Sequence, residues 1–390
     1  MSLDKEKHCS TSFSGPSDPN HTSPHSSEHF TLTGHASTIS PQEEVLLIRF
    51  RDFCQENGYC RFPEDGQLNV DDTTLLRFLR ANNLDLNKAV DRLRVVQDWR
   101  LNHAIEKSYL HMDVQCYEDY RKMVCLSLPF FSSNLFLFFC DVADGFASSL
   151  NGRRCDRQGL PLYVFPVKHF TAERMAAYRS KYNRATPTTV SQTQDLQCHI
   201  LAFHALYENM LKFVMPLCSQ LPHSHSQAPV CASTHIIDIA GVRLGHFWKI
   251  KKYLQGAISI ATTHYPETLG HIFVVSAPPY FVKAWEIIKK WFDPASVSKI
   301  LILSPSESKT ILSAYIDLPN LPKEYGGMLS WEWGEMLNLE EPARDIASGI
   351  YFRDQNGDQQ FLKGPVTFSG GSVHRWGTVD GELRRQTRKG

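Results

Sequence analysis

The chain has 390 residues, of which 42% are hydrophobic, which is enough for one large domain with extensions or for two domains. Its 41 basic and 41 acidic residues leave no net charge, which argues against a dominant nucleic-acid-binding surface. The ten cysteines are scattered without a C-x-x-C pair, which predicts free thiols in a reducing compartment. The polar N-terminus has no secretory or lipid-attachment signal, so any membrane contact is expected to be peripheral.

The first part of the chain divides into a polar tail and a helical lobe. Residues 1–41 are rich in Ser, Thr, His and Pro and hold very few aliphatic residues, so they are predicted to be disordered. Residues 42–123 show helical spacing of apolar side chains, with one helix predicted at 75–81 after a capping DDTT sequence at 71–74. A second helix is predicted at 86–101. These patterns predict a separate helical lobe.

A long apolar stretch, residues 124–142, follows the lobe and has no charged residue before Asp141. Its length makes it a marginal candidate for a transmembrane helix, but Pro129 and a polar SSN cluster at 132–134 argue against a span. The sequences on both sides belong to one globular pattern, which a span would divide. Residues 124–150 are therefore interpreted as an insertion, either a surface loop or translated intron sequence.

Strand and helix patterns alternate over residues 151–330. The first predicted elements are the strands 160–165 and 233–239 and the helices 192–214 and 244–262. Pro216 is predicted to end the first of these helices. Alternation of strands with helices predicts a mostly parallel sheet with crossover helices, which is an α/β fold.

A strand–helix–strand unit completes this region. Its predicted strands are residues 272–275 and 299–303, and the helix between them covers residues 280–292. One face of the helix is apolar and includes two tryptophans. The residues of that face are Phe281, Ala284, Trp285, Ile288, Trp291 and Phe292. The stripe is compatible with a helix packed permanently on its sheet, or with a lid over an apolar ligand that can also meet lipid.

The last 60 residues, 331–390, are predicted to be an extension with short β-hairpins. The predicted strands are residues 350–352, 360–362 and 366–368, and Gly-containing turns lie between or after them. The basic stretch 384–389 is interpreted as a frayed end.

Several motifs, in this order and at this spacing, resemble the CRAL-TRIO lipid-binding domain family. They are DDTTLLRFLRANNLD at 71–85, YPE at 265–267, AP at 277–278, WFDP at 291–294, VSKI at 297–300 and LPKEYGG at 321–327. The sequence is most similar to the fungal phosphatidylinositol/phosphatidylcholine transfer proteins of that family. The resemblance implies a helical lobe (42–123) packed on a lipid-binding domain (151–330). There the sheet would form the floor of an apolar pocket, and residues 280–292, hereafter the gate helix, would close it.

The resemblance also implicates residues near an inositol headgroup. The glutamate of YPE and the lysine of VSKI lie there in the family, and they correspond here to Glu267 and Lys299. The alternative is a purely structural ion pair. The family usually has a basic pair after RFLRA that helps to hold the phosphate, whereas this chain has Asn82 and Asn83, which lack the charge.

A choline-headgroup site is implied on the same grounds. Tyr163, Tyr207 and Ser233 match family residues, and His235 stands where the family has a threonine. Tyrosine rings and hydroxyls suit a quaternary amine and its phosphate.

The function implied is non-catalytic binding of one phospholipid, phosphatidylinositol or phosphatidylcholine, and its transfer or presentation between membranes. No G-x-S-x-G, P-loop, G-x-G-x-x-G or H-E-x-x-H motif occurs, so no catalytic residues, cofactor or metal site are predicted. The bound lipid is a ligand and not a cofactor.

The resemblance further implies a cytoplasmic monomer that associates peripherally with Golgi or ER membranes, with a lipid kinase as a candidate partner and no nucleic acid. Three alternatives stay open. The first is a carrier or sensor of a sterol, squalene-like or tocopherol-like ligand, the second a regulatory module that uses lipid as a switch, and the third a hydrolase without a recognisable motif.

Overall fold

The order of helices and strands follows the sequence prediction closely. The structure, a computed structural model, describes residues 39–59, 70–124, 126–128, 155–183, 196–221, 229–292, 294–330, 346, 351–353 and 359–384. The predicted disordered tail, apart from its last three residues, lies outside these ranges. So does most of the predicted insertion.

The helices are α1 (Pro41–Glu56), α2 (Asp72–Ala81), α3 (Leu86–Asn102), α4 (Ile105–Leu110), α5 (Val114–Val124), α6 (Ala172–Tyr182), α7 (Cys198–Asn209), α8 (Met215–Gln220), α9 (Leu244–His264), α10 (Phe281–Ile288), α11 (Pro294–Ser298) and α12 (Pro305–Tyr315). The strands of the main sheet are β1 (Leu126–Leu128), β2 (Leu162–Pro166), β3 (Ser233–Asp238), β4 (Leu269–Val275) and β5 (Ile300–Ile302). The C-terminal strands are β6 (Tyr351–Arg353), β7 (Gln359–Phe361), β8 (Val366–Ser369), β9 (Ser372–Arg375), β10 (Thr378–Val379) and β11 (Glu382–Leu383).

Helices α1, α2 and α3 form the N-terminal lobe around a shared apolar core. Ser40 and Glu43 form a reciprocal capping box that starts α1 at Pro41, one residue before the predicted boundary. The side chain of Asp71, from the predicted capping sequence, caps α2, which begins at Asp72, three residues before the predicted start. Arg92 of α3 donates a hydrogen bond of 2.6 Å to the carbonyl of Thr262 on α9, which ties the lobe to the rest of the protein.

The main sheet has five strands in the order β1-β2-β3-β4-β5. Strands β2 to β5 pair in parallel, and β1 pairs with β2 in the antiparallel direction. Helices lie between the successive parallel strands, so the predicted α/β fold with a mostly parallel sheet is confirmed.

The two faces of this sheet have different covers, because successive side chains of a strand point to opposite faces. One face packs against α12 in a closed core that contains Leu162, Val164, Ile236, Phe273, Val275, Leu312 and Ile316. The other face borders a cavity and presents Tyr163, Phe165, His235, Ile237, Ile272 and Val274. The sheet is therefore the floor of the cavity.

The helix predicted at 192–214 continues past its predicted end. α7 runs directly into a π-helical turn, Met210–Val214, and then into α8. The prediction that Pro216 ends the helix is wrong, because helical structure continues to Gln220. Pro216 lies just after the π-helical turn, where the regular i→i−4 hydrogen bonding is already interrupted.

A short strand lies within the predicted insertion. In β1, Leu126 pairs with Val164 and Leu128 pairs with Leu162, so the first residues of segment 124–150 extend the sheet instead of forming a loop. Val124, the first residue of the predicted insertion, is the last residue of α5. Residues 129–150 lie outside the described part of the chain.

The C-terminal extension forms hairpins at the predicted places, with β6 pairing with β7 and β8 with β9. The β8–β9 hairpin packs against the π-helical turn, and the hydroxyl of Tyr109 donates a 2.6 Å hydrogen bond to the carbonyl of Val366. Arg384 donates to the carbonyls of Lys363 and Pro365, so the interpretation of this residue as part of a frayed end is wrong. The extension is thus anchored on the lipid-binding domain predicted from sequence.

Candidate functional site

The main feature of the molecule is an apolar cavity of about 740 Å³. It lies between the sheet, α6, α7, α9 and the gate helix. Most of the side chains around it are aliphatic or aromatic, and they include Phe165, Phe203, Leu206, Ile237, Leu254, Ile258, Ile272 and Val274. A cavity of this size and lining is typical of a site for a hydrophobic ligand.

The gate helix forms one wall of the cavity. Its residues comprise α10 and a 3₁₀ turn, Lys289–Trp291, and the whole predicted stripe borders the cavity: Phe281, Ala284, Trp285, Ile288, Trp291 and Phe292. Phe281 and Ala284 are buried. The rings of Trp291 and Phe247 stack with centroids 6.5 Å apart, and the hydroxyl of Tyr280 donates to the carbonyl of Val242. These contacts hold the gate helix against the start of α9.

A cluster of uncharged polar side chains borders the cavity. The imidazole of His235 stacks on Tyr163, with ring centroids 5.1 Å apart, and its Nε2 lies 2.8 Å from the hydroxyl oxygen of Ser233. Burial lowers the pKa of His235 to about 4, so the ring is uncharged at neutral pH. Tyr207 borders the same cavity and stacks on Tyr265 at 4.4 Å. Four residues implicated by the resemblance therefore lie together.

The Glu267–Lys299 pair lies outside the cavity lining. Lys299 donates from its ammonium to the Glu267 carboxylate at 2.6 Å, and the two side chains are 18% and 25% exposed. Lys299 directly precedes β5 and Glu267 lies two residues before β4, so the pair lies at the edge of the sheet where the parallel strands begin. Neither residue is among the described residues that line the cavity. The pair is thus formed and partly exposed outside the cavity lining, although Ser233 of the cluster around His235 donates to the carbonyl of Thr268, the residue next to Glu267.

The two asparagines that replace a basic pair have local roles. Asn82 donates from its side-chain amide to the carbonyl of Phe78 at 2.8 Å and so ends α2. Asn83 adopts a φ of 53°, a left-handed conformation that asparagine tolerates better than most residues. The turn after α2 is therefore built without the charges expected for a phosphate site.

A buried ion pair that was not predicted joins the lobe to the cavity wall. Arg100 of α3 lies 2.8 Å from the carboxylate of Glu208 on α7, and the hydroxyl of Tyr265 donates to the same carboxylate at 2.9 Å. Although burial favours the neutral acid, the guanidinium lowers the pKa of Glu208 to about 2. Two side chains that are far apart in sequence can be paired only by the tertiary fold.

Two histidines beside the Arg100–Glu208 pair are uncharged at neutral pH. His204 and His264 pack around Trp99, with centroids 5.1 and 4.1 Å from its ring. Burial, together with the nearby charge of Arg100, lowers the pKa of His204 to about 3 and that of His264 to about 4. The main cause of both pKa shifts is the loss of hydration of the charged ring.

Acid should therefore destabilise the protein. Because these histidines have a depressed pKa in the folded state, the unfolded chain binds more protons below pH 6.5, and the free energy of unfolding should fall as the pH drops from about 6.5 to 4. Urea unfolding at several pH values measures this slope. His264→Gln should reduce the slope by at most about 1.4 kcal/mol per pH unit. An unfolding free energy that is constant between pH 6.5 and 4 would contradict the buried neutral state.

The described ranges contain neither a candidate membrane-spanning helix nor a cluster of metal-ligand side chains. No helix there combines the length and apolar character needed to cross a bilayer. Within the same ranges, no three His, Cys, Asp or Glu side chains are grouped as metal ligands would be.

The fold and the site define an α/β protein with an apolar cavity between its sheet and a helix. Two family models match the sequence: the CRAL/TRIO N-terminal domain over residues 32–94 and the CRAL/TRIO domain over residues 145–327. Together they cover more than half of the chain. The protein belongs to the CRAL/TRIO family, as the motifs predict.

Curated relatives are similar over most of the chain. The SEC14 cytosolic factor of Kluyveromyces lactis is 25% identical over 297 residues, which are 76% of this chain and 82% of the relative. The Sec14 cytosolic factor of Schizosaccharomyces pombe is 25% identical over 294 residues, which are 75% of this chain and 85% of that protein. A protein of Arabidopsis thaliana named phosphatidylinositol/phosphatidylcholine transfer protein SFH7 is 28% identical over 255 residues, 65% of this chain and 39% of its own. The crystal structure of Sfh5 matches at 15% identity with a TM-score of 0.47, covering 76% of this chain and 90% of that one.

Proposed function

We propose that the protein binds one phospholipid molecule, phosphatidylinositol or phosphatidylcholine, and transfers it between membranes or presents it at a membrane. The observation that carries this proposal is the apolar cavity of about 740 Å³ between the sheet and the gate helix. Moving acyl chains into water costs about 0.8 kcal/mol for each methylene group, so a lipid leaves a bilayer slowly unless a protein cavity receives it. The Arabidopsis thaliana relative SFH7 is named for the transfer of the same two lipids, which supports this choice.

The two polar sites are proposed to receive different headgroups. The cluster of Tyr163, Tyr207, Ser233 and His235 would hold a phosphocholine, since aromatic faces attract a quaternary amine. The Glu267–Lys299 pair would bind the hydroxyl groups of an inositol ring, because a carboxylate accepts hydrogen bonds and an ammonium donates them. Tyr163, Tyr207 and His235 line the cavity whereas the ion pair does not, which is compatible with this division.

The membrane-facing surface is proposed to be the gate helix together with the start of α9. Leu244, Trp248 and Val282 are 45%, 49% and 67% exposed, which is unusual for large apolar side chains near a cavity wall. Lys283 and Lys290 are exposed on the gate helix, and basic residues near an anionic bilayer contribute on the order of 1 kcal/mol each. This surface would allow peripheral binding while the gate opens into the membrane.

The proposal includes several further expectations. The protein acts without catalysis and as a monomer, in the cytoplasm and at Golgi or ER membranes, where a lipid kinase would receive the presented lipid. The domain boundaries are proposed to be residues 42–123 for the helical lobe, 151–330 for the lipid-binding domain and 331–390 for the C-terminal extension, with β1 as an added strand of the sheet.

A second candidate function is carriage of another hydrophobic ligand, such as a sterol. The specific observation in its favour is the stacking of His235 on Tyr163, which fills part of the polar end of the cavity with a ring where the family has a smaller threonine. A neutral imidazole and two tyrosine hydroxyls could hydrogen-bond a single hydroxyl group.

A vesicle transfer assay tests the main proposal. Donor vesicles containing labelled phosphatidylinositol or phosphatidylcholine are mixed with acceptor vesicles, and the protein should accelerate exchange of at least one of the two. Transfer no faster than the rate without protein, for both lipids, would contradict the proposal.

In this assay, Lys299→Ala should lower phosphatidylinositol transfer by roughly tenfold or more, since hydrogen bonds to charged groups contribute about 1.5–3 kcal/mol. Phosphatidylcholine transfer should stay within about twofold of the unchanged protein, because the pair lies outside the cavity. Lys309→Ala, at an exposed lysine of α12, is the matched control. Equal loss of both activities together with a lower melting temperature would show that the ion pair is only structural.

A further inference from the structure

A second polar cluster borders the cavity, and it is cationic. Arg179 of α6 approaches Tyr253 of α9, with its Nη1 3.5 Å from the tyrosine hydroxyl, and the ring of His199 on α7 lies 5.7 Å from the ring of Tyr253. All three residues line the cavity, and so does Lys252. Three helices thus bring one fixed positive charge, a histidine and a hydroxyl to the same place.

Among the described residues, Arg179 contacts the Tyr253 hydroxyl but has no carboxylate partner. Arg179 forms no ion pair with a carboxylate of the described chain, and its Nε is a buried atom without a hydrogen-bond acceptor. The Nδ1 of His199 is likewise buried and without a partner. Burying polar atoms without partners is costly, so an arrangement of this kind is expected to be completed by a ligand or by water.

The cluster is distinct from the neutral cluster around His235. His199 lies at the start of α7 and Tyr207 lies near its end, eight residues later, which corresponds to about 12 Å along a helix. Phe203 and Leu206 lie between His199 and Tyr207 in the sequence of α7, and both also line the cavity. The cavity therefore has a neutral polar cluster and a cationic one at different positions along α7.

We infer that Arg179, His199 and Tyr253 form an anion-binding subsite inside the cavity, which takes the carboxylate or phosphate group of an amphipathic lipid. A guanidinium offers paired donors that match the oxygens of either group. Burial and the charge of Arg179 lower the pKa of His199 to about 4, so the ring is neutral and can donate one hydrogen bond. The inference rests on the proposed function, because it specifies the class of ligand for the same cavity.

The test compares lipid retention by the full chain and three variants. Delipidated protein is incubated with phosphatidylcholine vesicles that contain phosphatidic acid, and separately with vesicles that contain oleate, and retained lipids are measured by mass spectrometry. Arg179→Gln should lower retention of the anionic lipid by roughly tenfold or more, since a charge-assisted hydrogen bond contributes about 1.5–3 kcal/mol. Arg179→Lys should restore part of it. Arg174→Gln, on the same helix but exposed and outside the cavity lining, should behave like the unchanged protein.

The pattern of lipid loss distinguishes a phosphate ligand from a carboxylate ligand, and it tests the subsite separately from the proposed function. Loss of phosphatidic acid alone identifies a phosphate ligand, and loss of oleate alone identifies a carboxylate ligand. Unchanged anionic retention in folded Arg179→Gln, or an equal loss of phosphatidylcholine, would overturn the subsite. If Arg179→Gln does not fold, Tyr253→Phe decides, because loss of its hydroxyl should selectively weaken anionic retention and an unchanged value would overturn the inference. Retention of phosphatidylcholine but no anionic lipid by the unchanged protein would refute the subsite and leave the proposed function intact, whereas retention of no lipid would refute both.

Discussion

Cross-linking the gate helix to α9 should abolish lipid transfer while leaving already bound lipid in place. Phe247 and Trp291, whose stacked rings join the two elements, are the positions to replace by cysteines and bridge with a short thiol-reactive linker. The closed gate covers the cavity, so lipid can leave only if the helix moves. Opening in water would expose large side chains at roughly 1.5–3 kcal/mol each, so the open state should be rare away from a membrane. We expect transfer to fall at least about tenfold after cross-linking.

Two controls make this result interpretable. The same double variant without linker should transfer lipid, which separates loss of motion from loss of the two rings. The unchanged protein treated with linker reports on its native cysteines, of which the described ones are buried. Transfer at the uncross-linked rate by the bridged protein would show that the gate helix is fixed core, which is the alternative that the sequence left open.

Filling the cavity should have the second large effect. Ala257→Trp places an indole in the space beside α9, and the lipid that can be retained per chain should fall by roughly tenfold or more, because acyl chains lose the apolar surface that replaces the bilayer. The melting temperature should change little, since the new side chain enters empty volume instead of a packed core.

The matched control for this variant lies two residues earlier on the same helix. Gln255 is exposed and is not among the described cavity-lining residues, so Gln255→Trp should retain lipid like the unchanged protein. If Ala257→Trp and Gln255→Trp retain equal amounts of lipid, the ligand does not occupy this cavity.

The parts of the site that follow local rules could be predicted from the sequence. The apolar stripe of the gate helix depends only on helical periodicity, and the structure places all six of its residues on the cavity. The cap at Asp71 depends on neighbouring residues and was predicted as well. The approach of Glu267 and Lys299 follows from motif positions at the starts of two neighbouring strands.

Features that depend on long-range packing were not predicted. Arg179, His199 and Tyr253 come from three helices, and no spacing within any one helix signals that their side chains meet. Helical structure continues through Pro216 because a π-helical turn follows Asn209, and the residues around the proline do not signal that turn. The strand β1 depends on pairing with β2, a contact that local sequence does not encode.

The most direct measurement is the identity and amount of lipid bound to the purified protein. Native mass spectrometry followed by lipid extraction gives both, without any assumption about transfer. We predict about one phospholipid per chain, phosphatidylinositol or phosphatidylcholine, displaced in Ala257→Trp but not in Gln255→Trp. A sterol or another non-phospholipid at the same stoichiometry would contradict the choice of ligand, and a protein that never carries or takes up lipid would contradict the central claim.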